Sequence, residues 1–334
     1  MTMVSIDEDF REISNLAALK RTRNGKILSI VIPMHNEQDV LEYLFERLER
    51  ALQDIGVSIE IICVDDGSSD LTYQELLPYS ASDPRIHIIS LTRNFGKEAA
   101  LTAGLDASTG HFVVPIDADL QDPPELISEF LLLWEQGYDV IYGVRADRST
   151  DTFLKRLSAN GFYRIFNILS PQKIPPSTGD FRLMDRAVVD ALKRLPERNR
   201  FMKGLFTWVG FRQVGIPYNR PMRVAGSTSW NYWGLFRFAI DGITAFTTAP
   251  LRLWTFIGLA SALIAVLYGI FLLVRVLVVG LDVPGYASIM EAILLGFAVQ
   301  MIALGVIGEY IGRIYEEVKG RPIYMIRDRV GFKG

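Results

Sequence analysis

The chain has 334 residues, 49% of them hydrophobic, with a formal net charge of −3 and one cysteine. That length holds one good-sized domain and a smaller addition. The near-neutral charge argues against a general nucleic-acid binder. The lone Cys63 excludes an internal disulfide framework, and histidines at 35, 87 and 111 lack zinc-ligand spacing.

Residues 1–24 are polar and charged, with no apolar stretch of the secretory-signal kind, and read as a solvated or disordered leader. Residues 27–33, ILSIVIP, predict a strand buried on both faces apart from Ser29. Residues 39–55 have helical spacing at Val40, Leu41, Leu44, Leu48 and Leu52. Residues 59–64 form the next strand, with Cys63 as a core side chain. A short helix over 72–79, a strand over 85–90, a helix over 97–107 and a strand over 111–116 follow. Alternation at this spacing predicts an α/β doubly wound sheet, mostly parallel and flanked by helices. Ligands of such sheets sit beyond the carboxyl ends of the strands.

The fourth strand runs into Asp117-Ala118-Asp119-Leu120-Gln121-Asp122. Strand alternation points Asp117 and Asp119 the same way just past its end. Two carboxylates and the Gln121 amide oxygen are hard ligands that suit Mg²⁺ or Mn²⁺, ions that usually also hold substrate phosphates. Acids in a loop after a strand are also common turn residues, so the neighbouring loops decide. They are Pro33-Met34-His35-Asn36-Glu37, Asp65-Asp66-Gly67-Ser68-Ser69-Asp70 and Thr92-Arg93-Asn94-Phe95-Gly96-Lys97. Any one of them can be a turn or a helix cap. Four on one sheet edge predict a binding crevice. With no G-x-G-x-x-G or Walker sequence, a dinucleotide dehydrogenase or P-loop NTPase is disfavoured.

Late in the chain, residues 253–274 contain no charge, and a second apolar run covers 287–308 with Glu291 near its start. Roughly 20 apolar residues span a bilayer as a helix. The turn near 281–285 has no Lys or Arg, whereas Arg237 and Arg252 precede the pair and Arg313, Lys319, Arg321, Arg327 and Arg329 follow it. That asymmetry predicts a transmembrane hairpin with both chain ends in the cytoplasm. Residues 229–240 are dense in Trp, Tyr and Phe, which fits a helix lying in the membrane interface. The predicted division is a leader at 1–24, a cytoplasmic catalytic domain at 25–228, interfacial helices at 229–250, spans at 251–279 and 287–312, and a cytoplasmic tail at 313–334. Gly296, Gly305, Gly308 and Gly312 offer a small-residue face for self-association as a homo-oligomer.

The motifs V-I-P-x-x-N-E, V-D-D-G-S-S-D, R-N-F-G-K and D-A-D-L-Q-D-P-P-E resemble glycosyltransferase family 2, and the last three together resemble its polyisoprenyl-phosphate glycosyltransferases. These are inverting enzymes of GT-A fold, a group that includes dolichol-phosphate mannose synthases and bacterial undecaprenyl-phosphate glucosyltransferases. The segment at 308–322, GEYIGRIYEEVKGRP, is similar to the bacterial membrane-anchored branch. The resemblance spans about residues 27–328. It implies a nucleoside pocket lined by Pro33, His35, Glu37 and Asp66, with His35 where many relatives have Tyr. It adds Lys97 and Asp117 on the nucleotide side and a metal site of Asp117, Asp119 and Gln121. Asp180, in Thr178-Gly179-Asp180-Phe181-Arg182, matches the segment that supplies a catalytic carboxylate, as base or as orienting group; a helix-capping Asp is the alternative. Arg182 is expected to pair locally. Candidates for the acceptor phosphate are Arg200, Lys203, Arg223 and Ser227, with Thr228, Lys155 and Arg156 nearby; Ser229 replaces a frequent basic residue.

The implied reaction is metal-dependent transfer from a nucleotide sugar, with a UDP-sugar favoured, to a polyprenyl monophosphate at the bilayer. Glucose from UDP-glucose is the working expectation. No motif marks the side chains that read sugar hydroxyls, so mannose, a hexosamine or a modified aminoarabinose stay open. A hydroxyl acceptor and a non-catalytic membrane assembly subunit are the competing readings.

Overall fold

The computed structural model describes residues 21–146, 178–198, 200–219, 244, 247–280 and 285–332. Residues 229–240, expected at the membrane interface, lie outside them, as do Lys155, Arg156, Arg223, Ser227 and Thr228. The first half follows the predicted alternation: β1 (Ile27–Met34), α1 (Leu41–Leu52), β2 (Ser58–Asp65), α2 (Thr72–Ser82), β3 (Ile86–Leu91), α3 (Lys97–Ala107) and β4 (Phe112–Pro115). β1 is apolar on both faces because it lies between β2 and β4, parallel to both. β3 adds in parallel beside β2. Leu41, Leu44, Leu48 and Leu52 form the buried stripe of α1. On the other face α3 settles close to β1 because residue 104 is glycine. A Cβ there would come within 2.2 Å of Val31 Cγ1.

Beyond β4 the chain departs from a doubly wound sheet. α4 (Ile127–Glu135) leads to β5 (Val140–Arg145), and β6 (Thr178–Asp185) then enters between β4 and β5, antiparallel to both. α5 (Arg186–Lys193), α6 (Met202–Trp208) and β7 (Gln213–Tyr218) follow, β7 lying parallel to β5. The result is one mixed eight-stranded sheet in the order β7-β5-β6-β4-β1-β2-β3-β8.

Two long helices, α7 (Ala249–Val279) and α8 (Tyr286–Lys319), precede the last strand. Their segments Ala249–Leu272 and Ser288–Lys319 have mean hydropathies of 2.2 and 2.1 and are long and apolar enough to cross a membrane. Their large apolar side chains, among them Leu259, Ile264, Leu295 and Ile302, are exposed. Glu309 and Arg313 pair at 2.8 Å one turn apart, as their spacing predicts. α8 runs past the predicted boundary at 312 and stops at Gly320, whose φ of 69° suits a residue without Cβ.

The predicted tail is not a free tail. Residues Ile326–Val330 form β8, which pairs antiparallel with β3 and closes that edge of the sheet. The Ile-Arg-Asp-Arg-Val composition conceals this strand. Charged residues are what an exposed edge strand tolerates.

Candidate active site

The polar loops gather beyond the carboxyl ends of β1, β2, β3 and β4, where the sequence reading put them. In the second loop the chain turns at Gly67 with φ of 62°. A Cβ at that position would lie 2.4 Å from the Arg93 carbonyl carbon, so glycine lets the second and third loops touch. Asp66 ties them together. One carboxylate oxygen accepts from the Phe95 N–H at 2.7 Å and the other from the Gly96 N–H at 2.8 Å. Burial outweighs these bonds and raises the Asp66 pKa. His35 sits on the rim. With the proton on Nδ1 it donates to the Asp66 carbonyl at 3.1 Å, and its Nε2 accepts from Asn94 at 3.0 Å. The Glu37 N–H donates to Thr72 Oγ1 at 2.8 Å, which fixes the end of the first loop. Pro33, half-buried, stands opposite Val64 in the β1–β2 register.

The D-x-D segment carries backbone strain. Leu120, fully buried, has φ of 52°, in the left-handed region that a leucine rarely enters. Asp119 is buried and accepts from the Gln121 N–H at 3.2 Å. Asp122 is buried too; Tyr218 donates to it at 2.7 Å, and burial with the nearby Asp117 charge pushes its pKa up to about 6.

β6 brings the second carboxylate. Phe112 pairs with Asp185 and Val113 with Met184, so β6 starts on the side where β4 runs into the D-x-D segment. Lys97, the first residue of α3, bridges them. Its Nζ lies 2.6 Å from Asp117 Oδ1 and 2.8 Å from Asp180 Oδ2. Burial opposes the charge, but Asp180 and Asp117 hold the ammonium well above the ordinary lysine range. Burial likewise opposes ionisation of Asp180, yet Lys97 and Lys203 keep it well below the usual carboxylate range. Asp180 Oδ1 is buried and without a hydrogen-bond partner among the described residues. Glu98, next along α3, shows the opposite balance: burial and the Asp180 charge push its pKa up to about 8.

Residues 29–193 match the family model described as Glycosyl transferase family 2, and residues 249–314 match the GtrB C-terminal hairpin. The chain is 53% identical over 306 residues to the "Uncharacterized glycosyltransferase sll0501" of Synechocystis sp., covering 92% of this chain and 96% of that relative. The chain belongs to glycosyltransferase family 2. It is also 46% identical over 302 residues to the bactoprenol glucosyl transferase of Shigella phage SfX, covering 90% of this chain and 99% of that one. Among solved structures, mannosyl-3-phosphoglycerate synthase from Rubrobacter xylanophilus matches with a TM-score of 0.44 and 17% identity, over 66% of this chain and 72% of that one. The enzyme is thus a glycosyltransferase with a GT-A-like α/β fold and two apolar C-terminal helices.

Other residues of this glycosyltransferase sort by what they touch. Lys203, in α6, acts on both Asp180 and Glu98 electrostatically. Arg200 is buried, with its guanidinium turned to the Leu195 and Glu197 carbonyls at 2.9 and 3.2 Å, so it braces its own loop. Arg182 pairs locally as expected, donating to the Gly179 carbonyl at 2.7 Å and lying over the Phe206 ring. Arg145 escaped the sequence reading. It ends β5 on the same sheet edge and feels Asp122 and Asp117, and its buried Nε has no partner among the described residues. A strand ending in Arg beside the other strand ends was the signal for it.

Among the described residues no three His, Cys, Asp or Glu side chains cluster as a protein-only metal cage. The donors present instead fit the Mg²⁺ pattern of one or two carboxylates completed by substrate phosphates. Asp117 already draws one cation to itself, the Lys97 ammonium.

Proposed function

We propose that this glycosyltransferase moves glucose from UDP-glucose to a polyprenyl monophosphate, with inversion, at the cytoplasmic face of the membrane. The observation that carries the reading is the Asp117–Lys97–Asp180 bridge. It joins an acid of the nucleotide edge to a buried ionised carboxylate from a separate strand, as one displacement between two substrates requires. The names borne by the phage relatives favour glucose and a bactoprenol acceptor. β7 and β8 flank the two long helices in sequence and share one sheet. That supports a hairpin leaving from and returning to the same side, with basic residues at its base. Integral inner-membrane placement and homo-oligomerisation through the glycine-bearing face of α8 belong to the same proposal.

The second and third loops, with Pro33, His35 and Glu37 at the rim, hold the nucleoside. Asp117, Asp119 and Gln121 would hold Mg²⁺ or Mn²⁺, whose charge neutralises a departing diphosphate. Lys97 and Arg145 supply fixed positive charge on the same side. The acceptor phosphate is already anionic near neutral pH, its second pKa being about 6. Asp180 therefore orients the attack on the anomeric carbon more than it removes a proton. Lys203 brings the acceptor anion in, and Glu98, largely neutral at pH 7, adds little repulsion to two anionic substrates. Arg223 and Ser227 extend the phosphate site in this proposal. A panel of UDP- and GDP-sugars with purified enzyme and polyprenyl phosphate tests the reading. Transfer of glucose from UDP-glucose is expected; transfer from none of the panel overturns it.

A further inference from the structure

The last strand does more than close an edge. In the β3–β8 ladder, Ser90 pairs with Asp328 but the next residue, Leu91, pairs with Ile326. Arg327 is the residue skipped, and such a bulge re-aims a side chain. Its Nη2 donates to Ser90 Oγ at 2.7 Å and stands 3.8 Å from Asp65 Oδ2. Its guanidinium lies over the Tyr73 ring, whose hydroxyl donates to Asp328 at 3.1 Å.

Asp65 opens the second loop and is fully buried. Ser90 donates to its Oδ2 at 2.8 Å, and the Ser68 N–H donates to its Oδ1 at 2.9 Å. A buried carboxylate is costly unless paired and hydrogen-bonded. Arg327, half-exposed, stands 3.8 Å from that carboxylate and reaches it through the Ser90 hydroxyl, and Asp65 in turn precedes Asp66. Elsewhere residues 317–331 are secured independently of Asp65. Arg198 N–H donates to Glu317 at 2.9 Å, Tyr324 to Asp106 at 2.8 Å, and the Gly331 carbonyl meets His87 at 2.9 Å. Arg327 also lies outside both segments matched by the family models, 29–193 and 249–314.

We infer that Arg327 is a positioning residue for the nucleoside loop, so that donor binding depends on chain that follows the apolar hairpin. The inference rests on the proposed role of the second loop in holding the nucleoside. It predicts a selective defect: Arg327→Gln raises the UDP dissociation constant and the KM for the sugar donor about tenfold, the scale of one charge-assisted hydrogen bond. The KM for polyprenyl phosphate stays unchanged, and Arg327→Lys recovers part of the loss. The measurements are calorimetric UDP and GDP binding and two-substrate kinetics on the full-length enzyme in lipid nanodiscs. Should Arg327→Gln fail to fold, Ser90→Ala interrupts the same relay and must weaken UDP in the same way. Wild-type donor KM and UDP affinity in a folded Arg327→Gln, or in Ser90→Ala where Arg327→Gln fails to fold, overturn the inference. Equal losses for donor and acceptor also overturn it, since they mark general destabilisation. Wild-type enzyme that binds neither UDP nor GDP overturns both this inference and the nucleotide-sugar reading. Nucleotide binding without sugar transfer overturns the proposed reaction alone.

Discussion

Strands β1 to β4 come from consecutive strand–helix units and lie side by side in parallel, whereas β5 to β8 join the same sheet from its two flanks, β6 and β8 running against their neighbours. In the first group each strand end delivers one polar loop to the same sheet edge, the edge proposed to hold the nucleotide. In the second, single residues are delivered into a frame already built: Asp180 from β6, Arg145 from β5 and Arg327 from β8. In the proposed reaction, locally built structure would hold the nucleotide, and the orienting carboxylate would arrive from a distant segment. Their junction is one ammonium group, that of Lys97.

The sharpest way to break that division is Asp180→Asn. It should lower kcat about a hundredfold, the scale of a lost positioning contact, while UDP affinity measured by calorimetry stays near wild type. Equal loss of both would show that the two groups of strands do not divide the work. Asp119→Ala probes the other side. Chelation should abolish wild-type transfer and added Mg²⁺ or Mn²⁺ restore it, whereas the variant should retain only weak activity that no longer responds to metal. A variant as active and as metal-dependent as wild type sinks the assignment of Asp119. Glu98→Gln should have the smallest effect. Because folding raises the Glu98 pKa from 4.5 to about 8, the folded state holds its proton more tightly. This residue's contribution is favourable at low pH and is lost as pH rises through that window. The unfolding temperature of wild type should therefore fall relative to that of Glu98→Gln as pH rises between those values, by about 3 °C for each kcal/mol lost. Parallel curves for the two proteins would remove the buried charge from the account.

The first group was legible because its signals are local. The helix over 97–107 was placed to the residue, and β1, β2 and β3 to within a residue or two at each end, since continuous apolar runs bounded by polar loops have few other readings. Asp180 was singled out through its motif, but its place beside Lys97 and Asp117 depends on contact between residues far apart in sequence, which no periodicity records. The Lys97 bridge was hidden for the same reason. β8 was missed because it buries little and carries three charges in five residues. Its partner is a backbone edge, and an edge leaves no mark on side-chain pattern. Arg200 was read as a phosphate candidate by type and place; its burial and its bonds to the Leu195 and Glu197 carbonyls are features the sequence does not display.

The order in which the chain is made gives β8 one more consequence. Ribosomes deliver the four parallel strands first and the strand that covers β3 only after both apolar helices have emerged. Until then β3 presents an open row of backbone groups, the kind of edge that recruits stray strands. The domain's most exposed interval during biogenesis therefore coincides with synthesis of the two apolar helices, and the same strand that ends that interval brings in Arg327.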